Sequence, residues 1–339
     1  MPQPKHILVI RLSAMGDVAM SVPVLRAFVS QYPDVKLTVL TKPFFKAFFR
    51  DIPNVNCIAA EIKGKHKGVF GLWKLSRELL QLDIDLVADL HNVLRSKILK
   101  FFLFGKKVVQ IDKGREEKKR LTSGQYFKQL KTTHQRYVDV FEKLGYPLDL
   151  SQPVFPEKVK LSSKHLDVTG NNEKQWVGIA PFAAFQGKMY PIDLMTEVVG
   201  ILSKTYQVLL FGAGNDEAQQ LNTIASQFEN VINLAGRFTL GEELDIISNL
   251  DVMLAMDSGN AHLAAMLGVN VITVWGVTHP YAGFLPFHQT IDSAILANRE
   301  RYPKIPTSVY GNKLPEGYEQ VMRSIAPETI ISKIHDALK

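Results

Sequence analysis

Apolar and polar positions alternate in blocks along the chain, and the blocks predict strands and helices in turn. "HILVIRL" reads as a strand buried on both faces, because an apolar run of that length suits the middle of a parallel sheet. The helical pattern "VAMSVPVLRAFVSQY" follows, then the strands "VKLTVL" and "NVNCIAA" and a helix near "VFGLWKLSRELLQL". Two further strands, "DLVADL" and "KKVVQI", precede a long helical pattern expected from about Gln125 to Leu144. The polar stretch "SSKHLDVTGNNEKQ" then interrupts the alternation.

Beyond it the pattern restarts. The strands "WVGIAP", "YQVLLF", "VINL", "DVMLAM" and "VNVITVWG" alternate with the helices "DLMTEVVGILSK", "DEAQQLNTIASQF", "LGEELDIISNL" and "AHLAAMLG". The tail "SIAPETIISKIHDALK" reads as an amphipathic helix opened by Pro327 and Glu328. Strands separated by helices make an α/β chain with two parallel sheets, each covered on both faces. The expected division is 1–165 and 172–320, with 321–339 as a terminal helix packing back on the first domain. Two halves of this kind place a central cleft between them, where the carboxyl ends of both sets of strands meet a ligand.

Length and composition agree with two ordinary domains. The chain has 339 residues, 46% of them hydrophobic and 22% charged, which describes a globular and not a disordered protein. No apolar run reaches the ~18–20 residues of a membrane span, and "MPQPKHILVIRL" lacks a signal-peptide layout. The single cysteine, Cys57, excludes an internal disulfide and a Cys-based metal cluster. A cytoplasmic protein is expected.

Charge adds an asymmetry. The net charge of +7 divides into +12 for residues 1–150 and −5 for the rest. The excess peaks in "IKGKHKG" and around Lys118, Lys119 and Arg120. Such runs are either solvated faces or a footprint for an anionic partner: an acidic glycan, a lipid phosphate or a membrane surface. No aromatic-basic pattern of a nucleic-acid module accompanies them.

Four strand-to-helix corners carry candidate chemistry. "SAMGD" places Asp17 where a phosphate-binding turn would want glycines and amides, and an acid there repels phosphate. It is either a helix-terminus acid or a group facing something other than phosphate. "APFAAFQGKMYP" offers Lys188, and "FGAGNDE" offers a tight turn followed by Glu217. In "AMDSGNAHLAAMLG", Ser258, Gly259 and the N–H groups of Asn260 and Ala261 form a helix start suited to phosphate. Asp257 beside them suits hydroxyls, so the corner fits a nucleotide-sugar or, more simply, a capped core helix. His262 lies one turn into that helix. No His/Asp/Glu spacing supports a metal site, and "DID" at 83–85 opens a strand.

Five stretches in order, "ILVIRLSAMGDVAMSVPVLRAF", "DLVADLHNVLRS", "GKMYP", "INLAGRFTLGEEL" and "AMDSGNAHLAAMLGVNVITVWGVTHP", resemble the bacterial heptosyltransferases of glycosyltransferase family 9. The resemblance runs over roughly Ile7 to Pro280. It implies the GT-B arrangement of two Rossmann-like domains facing a cleft, with the acceptor held by the first and the nucleotide-sugar by the second. It implies inverting, metal-independent transfer of heptose from ADP-heptose to the lipopolysaccharide inner core (Kdo/heptose-lipid A), with no cofactor.

By position, the resemblance makes Asp17 the catalytic base and Lys188 the donor-phosphate lysine, with Ser258, Gly259 and Asn260 as the phosphate turn. It puts Asp257 on the sugar hydroxyls, Glu217 near the ribose and Phe238 beside the adenine, with His262 in the same region. Ser13, Arg95 and Ser96 fall on the acceptor side, joined by the basic Lys118, Lys119 and Arg120. The implied partners are the donor, an anionic lipid-linked glycan and peripheral contact with the inner face of the inner membrane, without nucleic acid. The chain departs from the family at Ala183 and Ala184, where members commonly carry Ser or Thr. Two rival readings are a GT-B nucleotide-sugar 2-epimerase, which needs no acceptor, and a non-catalytic sugar-nucleotide or glycan-binding protein.

Overall fold

The computed structural model describes residues 6–170 and 173–339. Residues 1–5 and 171–172, where the second domain is expected to begin, lie outside the described residues. The chain divides into two compact units: one runs to Lys113 and takes in Thr132–Phe155, the other comprises Gly114–Lys131 and Pro156–Lys339.

In chain order the first half forms β1 (His6–Ile10), α1 (Met15–Ala19), α2 (Ser21–Gln31), β2 (Lys36–Thr41), β3 (Val55–Ala59), α3 (Gly68–Leu80), β4 (Leu86–Asp89), α4 (Leu94–Phe102), β5 (Lys107–Gln110), α5 (Arg115–Thr122) and α6 (Thr133–Leu144). The strands make a parallel sheet in the order β3-β2-β1-β4-β5, with Ile7 level with Leu37 on one side and Leu86 on the other. All five residues of β1 are buried, as the apolar run after His6 requires of a central strand. Leu8 and Ile10 pack with Leu72, Leu75 and Leu79 of α3 and Leu99 of α4. Ile7 and Val9 alternate with them toward the opposite face. Strand order reverses between β1 and β4, so a crevice opens at their carboxyl ends.

The second unit contains α7 (Ser163–Thr169), β6 (Trp176–Ala180), α8 (Ile192–Leu202), β7 (Gln207–Leu210), α9 (Gly214–Ala225), β8 (Val231–Asn233), α10 (Leu240–Ile247), β9 (Val252–Met256), α11 (Gly259–Met266), β10 (Asn270–Trp275), β11 (Ala294–Leu296) and α12 (Pro327–Ala337). Its parallel sheet has the order β11-β10-β9-β6-β7-β8, so its reversal falls between β6 and β9. Among the described residues, no helix is long and apolar enough to cross a membrane.

Two expectations are corrected. The pattern from Gln125 to Leu144 is helical only from Thr133, because Thr132 is extended and its hydroxyl accepts from the Gln135 amide at 3.1 Å. The segment Gly114–Lys131, expected in the first domain, packs in the second unit. There Leu121 and Leu130 join Ala282, the Leu130 amide donates to the Tyr281 carbonyl, and the Arg299 guanidinium lies 3.5 Å above the Phe127 ring centre. The terminal helix α12 sends Ile330 and Ile334 into the second core with Met195 and Val198.

Candidate functional site

Each reversal of strand order gathers polar side chains, and each cluster is built within its own unit. In the first unit, β1 hands over to Arg11, which is buried. Its guanidinium donates to the Leu90 carbonyl at 2.6 Å, meets Asp17 Oδ2 at 2.5 Å and lies 5.9 Å from the Tyr137 ring centre. The Tyr137 hydroxyl donates to the Asp17 carbonyl at 3.0 Å, and full burial pushes its pKa well above the phenol range. The Ala14 amide also donates to Asp17 Oδ2, at 3.3 Å. Among the described residues both side-chain partners thus fall on Oδ2, and with 31% of the side chain exposed, Oδ1 is left to meet a solute. Arg11 therefore fixes the carboxylate without occupying it.

The end of β4 supplies the opposite wall of that crevice. Asp89 is fully buried, accepts from the His91 and Asn92 amides at 3.0 and 2.8 Å through Oδ1, and meets Lys100 at 2.8 Å through Oδ2. This turn sets His91 3.4 Å from the Ser13 hydroxyl. Burial, with Arg11 and Lys113 nearby, pushes the His91 pKa down to about 4, so the ring is neutral at physiological pH.

In the second unit, Lys188 closes the short turn after β6. Its ammonium is 2.8 Å from Asp257 Oδ2, which also accepts from the Thr278 hydroxyl at 2.8 Å. An ammonium has three N–H donors, so two remain for an anion, and Oδ1 of Asp257 remains for a hydroxyl. The lysine is held by close backbone packing. A Cβ at Gly276 would stand 2.1 Å from the Gly187 carbonyl, and one at Gly311, where φ is +82°, would stand 2.4 Å from Lys188 Cδ. Ser258 begins α11 in extended conformation, and its hydroxyl is buried with no hydrogen-bond partner among the described residues. That orphaned hydroxyl and the free amides of the first turn of α11 make an anion cradle. Gly259 and Asn260 form that turn, and His262 is buried further along it.

The remaining expected residues separate. Glu217 folds back so that Oε2 accepts from the Ala213 amide at 2.7 Å, closing the turn that starts α9. Phe238 is half-buried, 5.4 Å from the His165 ring, with Lys164 5.6 Å above it. Arg95 is exposed on the first turn of α4. Ser96, expected on the acceptor side, is fully buried instead. Its hydroxyl accepts from the Val93 amide and donates to the Val93 carbonyl, both at 3.0 Å, closing the first turn of α4. Lys118 is likewise no exposed cation: it is buried, with its ammonium 4.1 Å above the Phe284 ring, whereas Lys119 and Arg120 are exposed. Ala184 is exposed and Ala183 half-buried, and neither can donate to a phosphate.

Arg11, His91, Asp89, Tyr137 and Thr278 were not legible as site residues. Arg11 and Asp89 read as strand ends, and Tyr137 arrives from 120 residues away. Glu243, on the first turn of α10, lies outside both clusters. Burial pushes its pKa up to about 7.

The model of glycosyltransferase family 9 (heptosyltransferase) matches residues 72–310. Lipooligosaccharide heptosyltransferase 2 of Haemophilus influenzae is 28% identical over 98% of this chain and 99% of its own length. Among solved structures, a family 9 glycosyl transferase of Veillonella parvula superposes with a TM-score of 0.78 at 19% identity, covering 100% of this chain and 98% of its own. The E. coli heptosyltransferase WaaC with ADP superposes with a TM-score of 0.72 at 19% identity, covering 98% and 99%. The fold class is that of these neighbours, α/β with two Rossmann-like domains of the GT-B type.

Proposed function

We propose a specific reaction for this chain, which belongs to glycosyltransferase family 9, the heptosyltransferases, and is a glycosyltransferase. The reaction is inverting transfer of heptose from ADP-heptose to an inner-core acceptor of the lipopolysaccharide type. The acceptor is anionic and lipid-linked, so the protein works from the cytoplasm at the inner face of the inner membrane.

The observation that carries this reading is Asp17, fixed through Oδ2 by Arg11 with Oδ1 open. In the proposed step Oδ1 takes the proton of an acceptor hydroxyl. The oxygen attacks the anomeric carbon, the bond from that carbon to the diphosphate oxygen breaks, and ADP leaves with the bonding pair. Attack opposite the leaving group inverts the anomeric centre. Lys188, Ser258 and the amides of Gly259 and Asn260 stabilise the charge growing on the diphosphate, which is electrostatic catalysis without a metal. Asp257 holds sugar hydroxyls through Oδ1, Glu217 and Phe238 flank ribose and adenine, and the basic Arg95, Lys119 and Arg120 meet the acceptor. With Ala183 and Ala184 unable to donate, more of the diphosphate recognition falls on Lys188 and Ser258.

Asp17→Asn tests the step. It keeps the size of the side chain, so folding and ADP binding survive, while kcat for transfer falls by roughly 10²-fold or more, the scale of a lost general base. A variant that melts slightly lower and transfers heptose at the normal rate would make Asp17 a helix-terminus acid only. Transfer that persists in EDTA is expected; abolition by EDTA and rescue by a divalent ion would overturn the metal-free part.

A further inference from the structure

The helices α3 and α4 cover the same face of the first sheet, and their outward sides carry large apolar side chains in water. On α3 the buried positions are Gly71, Leu72, Leu75, Ser76 and Leu79, which turns Phe70, Trp73 and Arg77 away from the sheet. On α4 the buried positions are Ser96 and Leu99, which turns Leu94, Lys97 and Phe101 outward. Phe70 is 80% exposed, Phe101 77% and Leu94 74%, and Phe104, just past the helix, is 93% exposed. Phe70 and Trp73 stand 5.4 Å apart, ring to ring. Exposed aromatics in such number are a surface built to be covered.

Its charge says by what. Between Lys63 and Lys107 the sequence holds ten Lys or Arg and four Asp or Glu. Of those acids, Asp89 is buried against Lys100, Glu78 lies within 3.6 Å of Lys65, and Asp83 and Asp85 precede β4 at the far end of the sheet. Lys74, Arg77, Arg95 and Lys97 are exposed on the same two helices that carry the aromatics. A second copy meeting this face about a two-fold axis would bring the same cations together. Exposed aromatic and aliphatic side chains interleaved in sequence with cations match the headgroup level of an anionic bilayer.

We propose that the outer face of α3 and α4, through Phe70, Trp73, Leu94, Phe101 and Phe104, docks the protein on an anionic phospholipid surface. Connecting helices run antiparallel to parallel strands, so Phe70 and Leu94 on the first turns of α3 and α4, with Trp73 a turn later, lie at the carboxyl edge of the sheet. That edge also carries Asp17, while Phe101 and Phe104 extend the face toward the other edge. A lipid-anchored acceptor then rises from the docked bilayer beside that carboxylate. The inference deepens the reading of a lipid-anchored acceptor, and vesicles without acceptor test it apart from that reading.

The test uses the full chain with vesicles of phosphatidylglycerol in phosphatidylcholine, and of phosphatidylcholine alone. Trp176 and Trp275 are fully buried, so a blue shift of tryptophan emission reports Trp73. Expected are cosedimentation with the anionic vesicles, a blue shift, and at least a tenfold weaker binding to neutral ones. Replacing Phe70, Phe101 and Phe104 by Ser together abolishes both signals, yet leaves transfer to a short, soluble acceptor unchanged. Lys74→Glu with Lys97→Glu keeps the aromatics and removes the preference for anionic lipid. Vesicle binding that is equal in the triple variant overturns the proposal. So does absent vesicle binding combined with self-association in sedimentation that the triple variant loses, which would make the face a contact between copies.

Discussion

Lys188 and Asp257 are nearly buried and 2.8 Å apart, an ion pair largely withdrawn from water. Removing one partner strands the other, and Lys188→Ala should cost about 2–4 kcal/mol of stability as well as ADP affinity. The double change Lys188→Met with Asp257→Asn separates the two effects. It restores much of the stability while ADP binding stays weak, because no cation remains for the diphosphate. Recovered binding in the double variant would assign the phosphate contact elsewhere. His91 gives the second prediction at this scale. Its folded pKa of about 4 lies below the ordinary 6.5, so the unfolded chain binds the proton more readily. Stability tied to its neutral form is complete above 6.5 and is lost as pH falls toward 4. His91→Gln should flatten that acid limb in urea unfolding at pH 4.5 to 7; an unchanged slope would assign the limb to other groups.

Among elements, legibility followed burial. Strands β1, β6 and β9 are buried at every position, so their sequences, His6 of β1 apart, are apolar runs. Helix α4 shows no clean stripe in the sequence, because its outward side is apolar as well, at Leu94 and Phe101. Helix α5, "REEKKRLT", buries only Lys118 and Leu121 and gives almost no apolar signal. The acids at strand ends were visible as candidates from their place after apolar runs. Their partners were not, since Tyr137 and Thr278 come from distant segments that the fold alone brings near. Helix α10 carries an element-scale prediction. Its first turn has Glu242, whose carboxylate accepts from the Thr239 amide at 2.8 Å, followed by Glu243, which burial pushes up to about 7. Raised above the ordinary 4.5, Glu243 favours the protonated folded form. Its contribution is complete below 4.5 and is lost as pH rises through 7. Glu243→Gln should therefore raise the melting temperature at pH 8 and leave it nearly unchanged at pH 4.5, and equal effects at both would remove burial as the cause.

At the scale of the whole molecule, the chain crosses between units more than once, and residues 114–131 belong by contact to a unit that otherwise starts at Pro156. Phe127 is central to that attachment: Arg299 stacks on it, and the rings of His279 and Tyr281 lie 4.7 and 4.8 Å away. Aromatic pairs and a stacked guanidinium contribute roughly 0.5–1.5 kcal/mol each, so Phe127→Ala should destabilise the second unit by about 1–3 kcal/mol. Calorimetry can tell which unit feels the change if each melts in its own transition. ADP at a hundredfold its Kd stabilises the unit that binds it by about 2.7 kcal/mol, and on the proposed reading that unit is the second. Phe127→Ala should lower that ADP-responsive transition. Phe141→Leu, which thins the packing against Phe28 at 4.9 Å, should lower the other. If Phe127→Ala shifted only the ADP-insensitive transition, the basic segment would be part of the first unit energetically. Its cations Lys119 and Arg120 would then belong to the same folding unit as Asp17.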